Sequence, residues 1–141
     1  MKDKLVNIRY ANITDLDFWL SLDKHISNDE LIKKINNNEC LVILNDNERV
    51  GILRYNLFWD NIPFVNMLYI KEKFQRKGFG KTLMLYFEDL MKSMGYTEVM
   101  TSTLENENGK YLYYSLGYKK TGSLFMDDEP EELILIKKFS T

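Results

Sequence analysis

Ile70-Lys71-Glu72-Lys73-Phe74-Gln75-Arg76-Lys77-Gly78-Phe79-Gly80-Lys81 decides how the rest of the chain is read. Ahead of it, Phe64–Ile70 is a mostly apolar run, the pattern of a strand covered on both faces. Behind it, apolar residues recur at Leu83, Leu85, Tyr86, Phe87, Leu90 and Met94, which predicts a long amphipathic helix from Phe79 to about Met94 with Gly95 as its stop. A buried strand, a short basic loop, two glycines and a helix start together form an anion cradle. The first helical N–H groups have no intrahelical partner, and the helix dipole adds about half a positive charge at that end. Gly78 and Gly80 remove Cβ atoms that would hold a phosphate away, while Arg76, Lys77 and Lys81 bring full charges. A pyrophosphate suits such a site. Taken alone, Gly-x-Gly before a helix also serves as a plain tight turn with solvated basic neighbours, so both readings stand at this point. The nucleotide motif G-x-x-x-x-G-K-[ST] is absent, and so is the third glycine of a dinucleotide fold.

Working outward, residues 5–10 alternate apolar and polar as a half-buried strand does. Thr14 reads as an N-cap with Asp15 and Asp17 in the first turn, and Ser27-Asn28-Asp29-Glu30 as a capping box opening a helix that ends in the run Asn36-Asn37-Asn38. Cys40–Leu44 and Arg49–Phe58 are strand-like, joined by Asn45-Asp46-Asn47, and residues 59–63 are expected as a loop. Thr97–Thr103 is a strand. Asn106 is expected to cap a short helix reaching Leu116 with Gly117 behind it, and Tyr118–Met126 and Glu132–Phe139 form a last hairpin. The order β-α-α-β-β-β-α-β-α-β-β makes the fold α/β, of the α+β kind, around one mixed sheet.

Composition limits the function. The chain has 141 residues, of which 45% are hydrophobic, enough for one domain spanning residues 1–141 with a core of its own. With 19 Lys+Arg against 21 Asp+Glu the net charge is −2, which argues against nucleic acid as a partner. One cysteine, Cys40, and one histidine, His25, leave no disulfide framework and argue against a metal centre. There is no apolar run of membrane-spanning length, and Met1-Lys2-Asp3-Lys4 lacks a secretory apolar core. A cytoplasmic domain with no membrane partner is the expectation.

Gln75-Arg76-Lys77-Gly78-Phe79-Gly80 matches Q/R-x-x-G-x-G/A, and the chain resembles the GNAT family of acyl-CoA N-acyltransferases over essentially its whole length. A second segment, Asn106-Glu107-Asn108-Gly109-Lys110-Tyr111-Leu112-Tyr113-Tyr114-Ser115-Leu116-Gly117-Tyr118, resembles N-x-x-A-x-x-L-Y-x-x-x-G-F, with Gly109 in place of alanine and Tyr118 in place of phenylalanine. The resemblance implies a mostly antiparallel sheet of about seven strands with a central splay, flanked by about four helices. It implies acetyl-CoA as cosubstrate and no metal. The pyrophosphate would lie on Gln75, Arg76, Lys77, Gly78, Phe79, Gly80 and Lys81, and the pantetheine arm along Leu68 and Ile70, with Asn106 and Tyr113 also in contact.

The reaction implied is attack of a neutral amine on the acetyl carbonyl, with a backbone N–H near Leu68 facing the oxyanion and Tyr113 donating a proton to the CoA thiolate. Tyr111 and Tyr114 are the neighbouring candidates for that donor. No base stands out. Asn66 sits where some relatives place a glutamate, and Asp60, Glu30, Glu105 and His25 are the remaining candidates, each also readable as a solvated or helix-end group. The acidic run Asp127-Asp128-Glu129-Pro130-Glu131-Glu132 reads as a soluble turn or as an attractor for a cationic amine, and Trp59 as an acceptor wall or a core edge. Cys40 reads as a buried strand residue. Function is thus expected as acetyl transfer to a small-molecule or peptide/protein amine, with a catalytically silent CoA-binding sensor as the alternative, and a homodimer is compatible with either.

Overall fold

The computed structural model describes residues 5–140; Met1-Lys2-Asp3-Lys4 lies outside them. Seven strands run in chain order as β1 Val6–Tyr10, β2 Cys40–Asn45, β3 Glu48–Phe58, β4 Ile62–Ile70, β5 Glu98–Leu104, β6 Lys119–Leu124 and β7 Glu132–Lys138. Four α-helices accompany them: α1 Leu16–Leu22, α2 Asn28–Asn36, α3 Phe79–Ser93 and α4 Gly109–Ser115. The sheet order is β1-β2-β3-β4-β5-β7-β6. The pairs β1–β2, β2–β3, β5–β7 and β6–β7 are antiparallel, and β4–β5 is parallel. This is the mixed sheet that the element order predicts. The chain divides into two compact units, one made of the residues up to Tyr55 with Met67–Tyr86, the other of Asn56–Asn66 with the chain from Phe87 onward.

In the first unit, β2 is buried along its whole length, and Asp46 and Asn47, at φ 51° and 68°, turn the chain into β3. Trp19, Leu31, Val42 and Ile52 are fully buried in its core. Two carboxylates are buried with them. Asp15 accepts from both Nη atoms of Arg9 at 2.7 and 3.0 Å, from Arg49 Nε at 2.6 Å and from the Asn12 N–H at 2.8 Å. Burial pushes this carboxyl up, but the Arg9, Asn12 and Arg49 bonds outweigh it and hold the pKa at about 2. Asp23 ends α1 and accepts from Trp19 Nε1 at 3.0 Å and Arg54 Nε at 2.7 Å. Gly51, in β3, lets the end of β4 come close: a Cβ there would stand 2.4 Å from Ile70 Cδ1 and 3.1 Å from the Tyr69 carbonyl oxygen. The Lys71 N–H donates to the Val50 carbonyl at 2.8 Å, so the same stretch fixes where the basic loop begins.

In the second unit, the Asn61 N–H donates to the Phe58 carbonyl at 3.1 Å across Trp59 and Asp60, which stand at φ 54° and 63°. That is the backbone of a tight hairpin, so β4 starts at Ile62 and the loop expected over residues 59–63 is shorter than its composition suggests. Pairing of β4 with β5 is confined, among the described residues, to Phe64↔Met100 and Val65↔Thr101. Gly95, at φ 93°, ends α3, with its N–H donating to Lys92 and that of Tyr96 to Met91.

Three local expectations are corrected. The first cap is Asn12, not Thr14: Asn12 accepts from Thr14 N and shares a capping box with Asp15 over the one-turn 3-10 helix Ile13–Asp15. Ser27 does cap α2, accepting from Glu30 N at 3.2 Å, but the Glu30 carboxylate pairs with Lys33. Asn106 is exposed and does not cap α4; Asn108 holds that position and makes no side-chain cap bond.

Gly51→Ala should destabilise the chain by about 1–3 kcal/mol in urea unfolding, because the Tyr69 backbone cannot retreat as the Ile70 methyl can. Asp15 has its folded pKa below the unfolded value of about 3.9, so its contribution is full above about pH 5 and is lost as pH falls through 4 toward 2. Urea unfolding of wild type and Asp15→Asn across that window should show the wild-type advantage shrinking by at most about 2 kcal/mol.

Candidate active site

The basic loop leaves β4 and passes through a one-turn 3-10 helix, Glu72–Phe74. Gln75 is exposed, and its side-chain amide is engaged: Nε2 donates to the Ile70 carbonyl at 2.8 Å and clasps the loop to the strand end. Arg76 and Gly78 take φ of 63° and 88°. Left-handed backbone at a non-glycine residue costs on the order of 1 kcal/mol, so Arg76 holds its place against a local strain. Thr82 N donates to the Gly78 carbonyl at 3.0 Å, the first bond of α3. The N–H groups of Phe79, Gly80 and Lys81 precede it and point out of the helix end. A Cβ on Gly78 would meet nothing within 4 Å, so the space before that end is open.

Charge is sorted along this loop. Lys71 and Lys73 lie 3.9 and 3.5 Å from Glu48, whereas among the described residues no ion pair engages Arg76, Lys77 or Lys81, all exposed. Positive potential therefore concentrates where the helix begins. Phe79 is half-buried, with its ring set edge-on to Phe74 at 6.0 Å, which anchors the first turn. Leu68 is half-buried in β4, and Ile70 is buried against Gly51.

In the second unit the three tyrosines of α4 separate by environment. Tyr111 and Tyr114 are 61% and 42% exposed, whereas Tyr113 is 7% exposed. The Tyr113 hydroxyl is hydrogen-bonded with Thr101, and burial pushes its pKa up to about 12. Thr101 Oγ1 in turn donates to the Val65 carbonyl at 3.0 Å. Its single proton is used there, which leaves its oxygen to accept from the phenol. The Tyr118 ring stands edge-on to Tyr113 at 5.6 Å. Its hydroxyl donates to Glu88 Oε2 at 2.8 Å, and Lys137 Nζ donates to Glu88 Oε1 at 2.7 Å. Burial beside this carboxylate drives the Tyr118 phenol far above its ordinary range.

The Acetyltransferase (GNAT) family model matches residues 9–118. The chain belongs to the GNAT acetyltransferase family. Among solved structures it is similar to a GNAT acetyltransferase of Bacillus cereus, at 23% identity and a TM-score of 0.81 over 97% of this chain and 99% of that one. It is likewise similar to the PaiA N-acetyltransferase of Thermoplasma acidophilum in complex with coenzyme A, at 21% identity and 0.82 over 96% and 99%. A third is a GNAT acetyltransferase of Elizabethkingia anophelis with acetyl-CoA bound, at 17% identity and 0.75 over 95% and 98%. These likenesses establish the GNAT fold. Among curated proteins no match to the chain is found.

The other candidate residues are scattered among local roles. Glu30 and Glu105 pair with Lys33 and Lys110, and Asp60 sits at a hairpin tip. His25 is exposed, with its N–H donating to Asp23, so the α1 end is capped by Asp23 and not by the histidine. Asn66 Nδ2 donates to Asn56 Oδ1 at 2.7 Å. In the acidic turn, Glu131 accepts from Ser123 at 2.5 Å and lies 3.4 Å from Lys120. Cys40 is buried, which pushes its thiol up to about 12, consistent with a packing role. Among the described residues no helix is long and apolar enough to cross a membrane, and no cluster of His, Cys, Asp and Glu could hold a metal. Sequence reasoning missed Thr101 and Glu88. Their partners lie 12 and 30 residues along the chain, and only the hydroxyl of Tyr118 where the family motif has phenylalanine signals that something polar must lie behind it.

Tyr118→Phe, which restores the usual family residue, should destabilise this chain by roughly 2 kcal/mol in denaturant unfolding. It removes a buried donor from a carboxylate that stays buried.

Proposed function

We propose that the chain is an acetyl-CoA-dependent N-acetyltransferase in which Tyr113 is the general acid. The observation that carries this reading is the burial of Tyr113, alone among the three tyrosines of α4, with its hydroxyl on Thr101 at the β4–β5 pairing. The diphosphate of acetyl-CoA is assigned to the start of α3: N–H groups from Phe79, Gly80 and Lys81, the open approach at Gly78, and the charges of Arg76, Lys77 and Lys81. Gln75 acts by shaping the loop. The pantetheine arm is assigned to the β4 backbone at Leu68 and Ile70 with Asn106, and the Leu68 N–H to the developing oxyanion.

In the reaction the amine lone pair forms the C–N bond as the C–S bond breaks. CoA leaves as a thiolate and takes the Tyr113 proton, which turns from Thr101 to sulfur. The acylated nitrogen loses its extra proton to water, and Tyr113 regains one. The products are the N-acetylated amine and free CoA. Thiols ionise near 8.5, so transfer from a phenol at about 12 is uphill by roughly 5 kcal/mol if the thiolate were solvated as in water. Desolvation raises the thiol as it raises the phenol and narrows that gap, and a phenol hydrogen bond stabilises the thiolate before transfer is complete.

Tyr113→Phe should lower CoA thiol release by about 10²-fold while acetyl-CoA affinity by calorimetry stays within about threefold. Gly78→Ala should do the reverse and weaken acetyl-CoA binding through a Cβ in the open cradle. Full turnover in Tyr113→Phe would remove the general-acid role. A silent CoA-binding sensor is the second reading, favoured by the engagement of Glu30 and Glu105 in ion pairs. Acetyl-CoA binding with no thiol release over an amine panel would select it.

A further inference from the structure

Phe58, Trp59 and Phe64 line one side of a cavity of about 460 Å³ in the second unit. The rings of Phe58 and Trp59 are 4.7 Å apart, and those of Phe58 and Phe64 6.1 Å, so the three form a continuous aromatic wall. Leu57, Met100, Leu124 and Ile134 complete the apolar lining. Its polar groups are few: Ser102, and the Asn56–Asn66 amide pair, joined by one hydrogen bond. Among the described residues, none lining it carries a charge.

Trp59 stands out within this wall. It is 77% exposed at a hairpin tip and takes a left-handed backbone at φ 54°. A bulky residue there costs local strain, and its apolar surface faces water. The left-handed backbone makes the hairpin turn, but the exposed ring adds nothing to the fold and suits a ligand wall.

The cavity borders the chemistry within the same unit. Phe64 and Asn66 flank Val65 in β4, and Met100 and Ser102 flank Thr101 in β5. Strand side chains alternate, so these four face away from Val65 and Thr101. Val65 and Thr101 form the last of the two β4–β5 residue pairs, and Thr101 holds the Tyr113 hydroxyl. Cavity and phenol thus meet the end of that pairing from its two faces.

We infer that this cavity takes the acceptor, and that the acceptor is a small primary amine carried on an aromatic or bulky aliphatic body; the inference rests on the acetyltransferase reading above. Polyamines and aminoglycosides bring several cations, which need carboxylates that the lining lacks. A peptide brings a run of N–H and C=O groups against a lining that is mostly apolar, and desolvating them there is costly. An arylalkylamine brings one cation, which aromatic faces tolerate, and a body that the apolar wall buries.

The test uses the intact chain with phenethylamine, spermidine, kanamycin and a phenylalanine-initiated tetrapeptide as acceptors, read by CoA thiol release. Phenethylamine should give the highest kcat/KM, and Trp59→Ala should raise its KM by about tenfold with acetyl-CoA affinity unchanged. Higher kcat/KM with spermidine, kanamycin or the tetrapeptide would overturn the acceptor class while leaving acetyl transfer standing. So would an unchanged KM in Trp59→Ala. Binding is read separately by phenethylamine quenching of Trp59 fluorescence, with Trp59→Phe as the blank. Quenching without thiol release on any amine would keep the pocket and overturn the acetyltransferase reading, and absent quenching would overturn the pocket.

Discussion

One proton on Thr101 Oγ1 organises the second unit. It goes to the Val65 carbonyl, and so reinforces a parallel pairing that, among the described residues, has two residue pairs to hold it. Because that proton is committed, the oxygen is left as an acceptor for the Tyr113 hydroxyl. A short helix of seven residues has little stability of its own, and α4 has no side-chain cap. The buried tyrosine tied to β5 at this hydroxyl is therefore a large part of what seats the helix. The Tyr118 ring, braced by Glu88 and Lys137, closes the other side.

The elements most legible in the sequence are those whose signal is local. The apolar repeat from Leu83 to Met94 and the stop at Gly95 give α3, and Asp46-Asn47 give a hairpin because both adopt positive φ readily. Gly78 is legible as the entry to α3 on backbone grounds, since it takes a positive φ there and a Cβ on it would meet nothing within 4 Å. Caps are less legible. Asn12 and Thr14 are both good cap residues two positions apart, and what selects Asn12 is Asp15, whose carboxylate is fixed by Arg49 from another strand. The Trp59-Asp60 turn was hidden for a related reason. Tryptophan is a poor candidate for left-handed backbone, so its sequence reads as open loop.

Site residues divide along the same line. Tyr113 is marked by its motif, but what separates it from Tyr111 and Tyr114 is burial, set by which face of α4 meets β5. Gly109 reads as a helix weakness where alanine is usual. In the fold it is the first residue of α4, and a Cβ there would stand 3.2 Å from Thr103 Oγ1, so its value is close approach and not helix propensity. Gln75 reads as a ligand contact from its motif, and the bond of its side-chain amide to the Ile70 carbonyl is a further role that the motif does not announce. In each case the partner lies on another element, out of reach of any local pattern.

Cys40, the one thiol of the chain, lies at the start of a strand that is buried throughout. With its pKa pushed to about 12, almost none of it is thiolate at neutral pH, and reagents cannot reach it while β2 stays paired. Its alkylation therefore requires the sheet to part around β2. The rate of that reaction, followed against denaturant, would time the opening of the first unit and leave the second unit silent.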